Sequence, residues 1–163
     1  MTTAKQFHYE LEHYFPDVER QSFFDFFLDH EAWSASDLLP GEIRVLEPGQ
    51  GHPLGAGAVR SVTTGSMVIT EDVVGFRDGE YFHYEARDGA MPVVNFGGEL
   101  TLQVLPGGLL ARYRGGFDQK YPGTGRILRQ VFRLVQSATF RRLGRAYAEQ
   151  AHAGRQPHLV AAS

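Results

Sequence analysis

Apolar and polar positions change period three times along the chain. Residues 6–15 alternate loosely and are rich in aromatics, which predicts a first strand. Pro16-Asp17 interrupts it, and Asp17 is the expected cap of a helix over 17–30. Phe23, Phe24, Phe26, Phe27 and Leu28 are too many apolar groups for one narrow stripe, so this helix is expected to be buried on more than one side. His30 to Leu39 reads as a second short helix or irregular turn, closed by Pro40-Gly41. From residue 42 the period becomes two. Strands are predicted at 42–47, 58–63, 67–76, 81–87, 99–105 and 109–118. Gly65-Ser66, Asp78-Gly79 and Pro106-Gly107-Gly108 supply the hairpin turns, and 88–98 is the least regular connection. Thr124 is the expected N-cap of a long helix over 125–151. Its apolar stripe runs through Leu128, Val131, Phe132, Val135, Ala138, Thr139 and Leu143. Residues 152–163 read as a tail.

This order, a strand, two short helices, six strands and one long helix, is α+β. A seven-stranded antiparallel sheet must cover one face, and the long amphipathic helix is the natural cover. At 163 residues a single domain over 1–151 is expected. Its composition is 42% hydrophobic and 21% charged, which excludes a wholly disordered chain. The absence of cysteine excludes disulfides, thiolate metal sites and a cysteine nucleophile. With no apolar run near the ~20 residues of a membrane span and no signal-like start, a cytoplasmic location is expected.

The net charge of −3 hides a polarity. Residues 1–50 carry ten Asp/Glu against three Lys/Arg, whereas 121–163 carry seven Arg and one acid, Glu149. The arginines can pair with the acidic N-terminal part, lie on a solvated helix face, or dock an acidic protein partner. No nucleic-acid motif accompanies them.

Familiar chemistries are mostly ruled out by context. The glycines of 49–57 lead into a strand rather than a helix, so they make a loop and not a phosphate cradle. The seven histidines show no metal-ligand spacing, and His8 and His13 point to opposite faces of one strand. There is no Gly-x-Ser-x-Gly elbow.

Strand parity is more informative. Leu109, Ala111, Tyr113, Gly115 and Phe117 form an inward set, because the alternate set exposes two arginines and an aspartate. Phe82, Tyr84 and Ala86 face in, as do Leu100, Leu102 and Val104. Small residues between large aromatics describe either a ligand cavity or a bent sheet packed on a helix. Arg60 and Glu71 lie on neighbouring strands of one hairpin. They are either an acid–base pair inside a cavity, with a carboxyl whose pKa burial would raise, or a cross-strand pair on the solvent face. The parity of 67–76 leaves this open. Asn95 is a candidate at a cavity mouth or a residue shaping its own loop. Trp33 and Tyr121 are candidate aromatic lids, and Trp33 suits a plain core position equally.

Several of these segments together resemble a known family. Gly55-Ala-Gly-Ala-Val-Arg60-Ser-Val resembles the G-x-G-x-x-R third strand of the START-like superfamily, in particular its polyketide cyclase/dehydrase and lipid-transport family. Trp33 ahead of Leu39-Pro40-Gly41, the strand from Pro106-Gly107-Gly108 to Phe117, and Tyr121-Pro122-Gly123-Thr124-Gly125 before an Arg-rich helix follow in the same order. The resemblance covers about 6–151 and implies a helix-grip fold, a curved sheet wrapped round the last helix with a deep cavity between them. It implies binding of a small hydrophobic molecule, with cyclisation or dehydration of a polyketide-like substrate as a possible reaction. Arg60, Glu71 and Tyr113 would be the catalytic groups. Trp33, Met67, Phe82, Tyr84, Asn95, Phe96, Phe117, Tyr121, Leu128 and Phe132 would line the ligand site. No cofactor or metal is implied. A non-catalytic carrier or sensor of a lipid, sterol or aromatic metabolite is the alternative, and an interaction module using the Arg-rich helix is a third.

Overall fold

The computed structural model describes residues 4–29, 31 and 42–153. The expected second short helix, Trp33 within it, and the chain beyond Ala153 lie outside the described residues. The elements are β1 (Phe7–Pro16), α1 (Arg20–Leu28), β2 (Ile43–Glu47), β3 (Val59–Thr64), β4 (Met67–Arg77), β5 (Tyr81–Ala86), β6 (Val93–Leu105), β7 (Gly108–Gln119) and α2 (Gly125–Ala153). Seven strands form one antiparallel sheet in the order β1-β7-β6-β5-β4-β3-β2. Each hairpin pairs with its sequence neighbour, and β1 closes onto β7. The sheet is curved, and its inner face carries the core.

The inward parity predicted for β7 holds: Leu109, Ala111, Tyr113, Gly115 and Phe117 are all buried. In β5 the same is true of Phe82, Tyr84 and Ala86. In β6, Leu100 and Leu102 are buried, but Val104 is 62% exposed. That strand runs past the edge of the core before it turns. β6 also begins earlier than expected, at Val93, because the irregular segment enters the sheet through a bulge between Val94 and Gly97. Asn95 makes the bulge with φ of 53°. This left-handed conformation is one an asparagine tolerates. Asp88 Oδ1 accepts the Asn95 backbone N–H, and the Asn95 side-chain amide donates to Asp118.

Both helix starts differ in detail from expectation. Glu19, not Asp17, caps α1: its carboxylate accepts from the Gln21 and Ser22 backbone N–H groups at 2.9 and 2.7 Å. Asp17 takes a positive φ of 56° instead and donates its N–H to the Gly107 carbonyl. At α2 Thr124 holds the N-cap position, as expected, with its carbonyl accepting the Leu128 N–H, but its hydroxyl donates backward to the Tyr121 carbonyl. Gln119 Oε1 accepts from the Gly123 and Gly125 N–H groups in its place. Phe23, Phe24, Phe26 and Leu28 of α1 are all buried, as their crowding implied.

α2 lies over the β1–β7–β6 part of the sheet. Phe132 packs on Tyr9, Phe96 and Phe117, and Phe140 packs on Tyr113. The expected stripe largely holds and is widened: Val135 and Thr139 line the cavity beside α2, Gln136 and Phe140 join them, and Val131 turns outward at 45% exposed. Leu128, Phe132 and Leu143 face the core as expected, and the helix continues through residues 152 and 153. No helix among the described residues is long and apolar enough to cross a membrane.

The anticipated pairing of the C-terminal arginines with the acidic N-terminal part does not occur among the described residues. Glu10 and Glu12 of β1 pair with Arg114 and Arg112 of β7, directly across the strand register. None of the arginines of α2 pairs with a described carboxylate.

Candidate functional site

Among the described residues, α2 covers only part of the inner face and leaves the β3–β4–β5 side open beside it. A cavity of about 260 Å³ lies there. Its described lining is mainly apolar: Ile43, Val62, Met67, Ile69, Met91, Phe96, Phe132, Phe140 and Leu143. Set among these are Arg60, Glu71, Tyr84, Tyr113 and Gln136. An apolar wall with a few convergent polar groups is the usual form of a small-molecule site. The volume lies just below the usual range for such sites, roughly 300–1,000 Å³.

The structure resolves the parity left open in 67–76. Arg60 of β3 and Glu71 of β4 stand directly opposite in the register. Both face inward and are only 9% and 7% exposed, so the solvent-face pair is excluded. Arg60 Nε donates to Glu71 Oε2 at 2.7 Å. The guanidinium also lies 4.9 Å from the Phe82 ring centroid and 5.2 Å from that of Tyr84. Burial of an arginine is tolerated here because it has both a carboxylate partner and aromatic faces.

Beside this pair three tyrosines converge. The Tyr84 and Tyr113 hydroxyls are hydrogen-bonded at 2.7 Å, and Gln136 Nε2 donates to Tyr113 Oη at 3.4 Å. The Tyr9 hydroxyl is buried and makes no well-formed hydrogen bond, although Tyr113 and Gln136 lie close by. Backbone spacing makes room for them. Gly98 and Gly115 are register partners on β6 and β7. A Cβ on Gly98 would stand 2.1 Å from Tyr113 Oη, and one on Gly115 would stand 2.2 Å from Tyr9 Cζ. The tyrosine ends therefore occupy space that side chains would otherwise fill.

Burial keeps these phenols protonated. It pushes Tyr9 up to about 12, opposed only weakly by its neighbours Tyr113 and Gln136. Burial also raises Tyr84, reinforced by the negative charge of Glu71, and raises Tyr113 well above its ordinary value. The unfolded chain ionises its tyrosines near pH 10. Stability is therefore constant in this respect below pH 10, and falls as pH rises from 10 through 12 and above. An alkaline titration is expected to show phenolate absorbance from these three residues only as the fold is lost. Ionisation of all seven tyrosines near pH 10 with the fold intact would contradict this.

Of the expected site residues, the structure brings Arg60, Glu71, Tyr113, Met67, Tyr84, Phe96 and Phe132 onto the cavity wall. Phe82 and Phe117 are fully buried behind it, and Leu128 packs against the core. Asn95 holds the β6 bulge. Tyr121 is 55% exposed with Lys120 over its ring, and neither residue is on the described wall. Sequence reading did not single out Tyr9 or Gln136. Tyr9 shares inward parity with Phe7 and Phe15, and Gln136 stands four residues after Phe132. The proline- and glycine-rich loop does not reach the cavity: Leu54 is buried in the core, and His52 stacks on Phe76.

No family model matches the sequence, and no curated protein matches it. Solved structures do resemble it. Ara h 8.0201 superposes with a TM-score of 0.69 at 17% identity, over 88% of this chain and 98% of its own. A protein from Mesorhizobium loti gives 0.69 at 10% identity over 88% and 98%. One from Nitrosospira multiformis gives 0.63 at 14% over 89% and 99%. These likenesses span nearly nine-tenths of this chain, and together with the seven-stranded curved sheet and long last helix they show that it has the helix-grip fold.

Proposed function

We propose that this protein binds a small, largely apolar molecule in the cavity between the sheet and α2. The supporting observation is the cavity itself, an apolar chamber with a buried ion pair and a tyrosine pair on its wall. In an apolar pocket a small number of placed polar groups fixes the orientation of a ligand. The compact volume favours a small ring system over a long acyl chain.

Cyclisation or dehydration of a polyketide-like carbonyl compound is the catalytic form of this reading. Enclosure would fold the substrate. Arg60 and Tyr113 would polarise a carbonyl, and Glu71 would carry a proton. The ion pair weighs against that last role, because Glu71 must share its carboxylate with Arg60 while it acts. A non-catalytic carrier or sensor needs no such exchange, and the geometry supports it more directly.

Native mass spectrometry of the protein as purified, and of Glu71→Gln, separates these readings. A retained small molecule is the expected result. The same compound in both proteins supports a carrier. An unconverted compound trapped only by the variant supports catalysis. A protein that holds nothing and also fails to bind an apolar fluorescent dye has no ligand cavity.

A further inference from the structure

α2 is apolar on two sides. One side packs on the sheet through Phe132, Phe140 and Leu143. The other stands in solvent: Ile127 and Leu134 are each 69% exposed, Val135 56% and Val131 45%. Ile127, Val131, Leu134 and Ala138 are spaced by fours and threes, so they form one ridge along the helix. An ordinary surface helix carries one apolar stripe and a polar opposite face. On the same side, one turn further on, Arg141, Arg142 and Arg145 are all exposed. None of the six arginines of α2 pairs with a carboxylate among the described residues. Just before the helix begins, Tyr121 is 55% exposed, with the Lys120 ammonium 5.8 Å from its ring centroid. The outer face of α2 therefore runs from an amphipathic aromatic, along an apolar ridge, to an unneutralised cationic cluster.

The charges select the occupant of this face. A second copy suits it badly. The apolar ridge spans only about 16 Å of helix, whereas a stable dimer buries roughly 800 Å² per partner. Extending the seam sets Arg141 and Arg145 against the partner copy's arginines or against its apolar residues. A rigid acidic protein would have to match a convex helix in shape. Lipid headgroups and acyl chains adapt to such a ridge, and anionic phosphates supply the missing countercharge.

We infer that the outer face of α2 docks on a bilayer surface rich in anionic phospholipid, with Ile127, Leu134 and Tyr121 entering the headgroup region and Arg141, Arg142 and Arg145 meeting lipid phosphates. The helix lies on the membrane and does not cross it. Val135 belongs both to this exposed face and to the cavity wall. Docking thus brings the edge of the cavity to the bilayer and gives an apolar ligand a path that avoids bulk water. The docking itself does not depend on ligand binding.

Vesicle co-sedimentation tests it. At low salt, wild-type protein is expected to bind vesicles containing about one third phosphatidylglycerol in phosphatidylcholine and to leave pure phosphatidylcholine vesicles unbound. Arg141→Gln/Arg142→Gln/Arg145→Gln is expected to weaken binding about a hundredfold, and Ile127→Ser/Leu134→Ser at least about tenfold. All five positions are exposed, so both variants are expected to keep the wild-type thermal midpoint. The chain has no cysteine, so Leu134→Cys can carry a single environment-sensitive fluorophore. Its emission is expected to shift to the blue on anionic vesicles, whereas the same label at Thr101→Cys, on the outer face of the sheet, stays unshifted. No binding of wild type to anionic vesicles overturns the inference, leaves the cavity reading standing, and turns the arginines over to an acidic protein. Undiminished binding by Ile127→Ser/Leu134→Ser also overturns it, because the contact would then be charge alone. A wild-type dimer in lipid-free solution that these two substitutions dissociate would make the ridge a contact between copies, and equal shifts at both labels would make the adsorption nonspecific. Either result sinks the proposal.

Discussion

Glu71→Ala is expected to lose about 3–5 kcal/mol of folding stability, read as a shift in the denaturation midpoint at unchanged slope. The reason is the residue left behind. Arg60 is 9% exposed, and Glu71 is the carboxylate it is paired with. Without that partner its guanidinium is a buried charge held, among the described residues, by the Phe82 and Tyr84 rings. Replacing both, as Arg60→Met with Glu71→Leu, is expected to restore most of the loss, because an apolar pair needs no compensation in that position. The contrast between single and double variants is the informative quantity. A single variant within 1 kcal/mol of wild type would mean that Arg60 reaches water through the cavity, contrary to its burial here. A double variant as unstable as the single one would mean that the pair contributes shape and not charge balance.

The second large effect is expected at Phe82, which is fully buried behind the cavity wall. Its ring contacts Phe27, Phe76 and Tyr84, and Arg60 lies over its face. Phe82→Ala combines lost burial with an unfilled void, about 3–5 kcal/mol. It also removes the surface on which the guanidinium rests, so ligand affinity is expected to fall in any fraction that remains folded. Phe82→Leu keeps most of the volume and is expected to cost much less. Chemical denaturation of both variants, with dye binding measured alongside, checks the point. A Phe82→Ala protein of near-normal stability would show that neighbouring rings collapse into the gap.

The two variants probe different layers of one construction. Phe82 supports Arg60 from behind, Arg60 neutralises Glu71, and both stand beside the tyrosine pair that the cavity exposes. A buried polar cluster of this kind is stable only when nearly every member is satisfied.

Much of the architecture was legible along the chain, because strand alternation and hairpin turns are local properties. In β7, two arginines and an aspartate on one parity leave the other no choice but to face the core. The same logic placed Phe82, Tyr84 and Tyr113 on the inner face. Where both parities were apolar, as in Met67–Val74, alternation had nothing to distinguish. There the face was set by the pairing of β4 with β3 and by which side of the sheet the core occupies. Capping failed as a local signal for a related reason. Asp17 has the right chemistry but takes a left-handed conformation and leaves the cap to Glu19, and Thr124 holds the N-cap position while Gln119 supplies the side-chain acceptor.

Sequence by itself determined the α+β order, the antiparallel hairpins, the inward aromatic set and the candidacy of Arg60, Glu71 and Tyr113. Tertiary structure alone decided how α2 is rotated on the sheet, and therefore that Gln136 and Phe140 join Val135 and Thr139 on the cavity wall while Val131 turns outward. It alone brought Tyr9, Tyr84 and Tyr113 to one point over Gly98 and Gly115. Residues far apart in the chain meet there because paired glycines on adjacent strands leave a depression that no periodicity reveals. Whether a polar side chain is solvated or buried depends on what covers it, and that is a property of packing between elements.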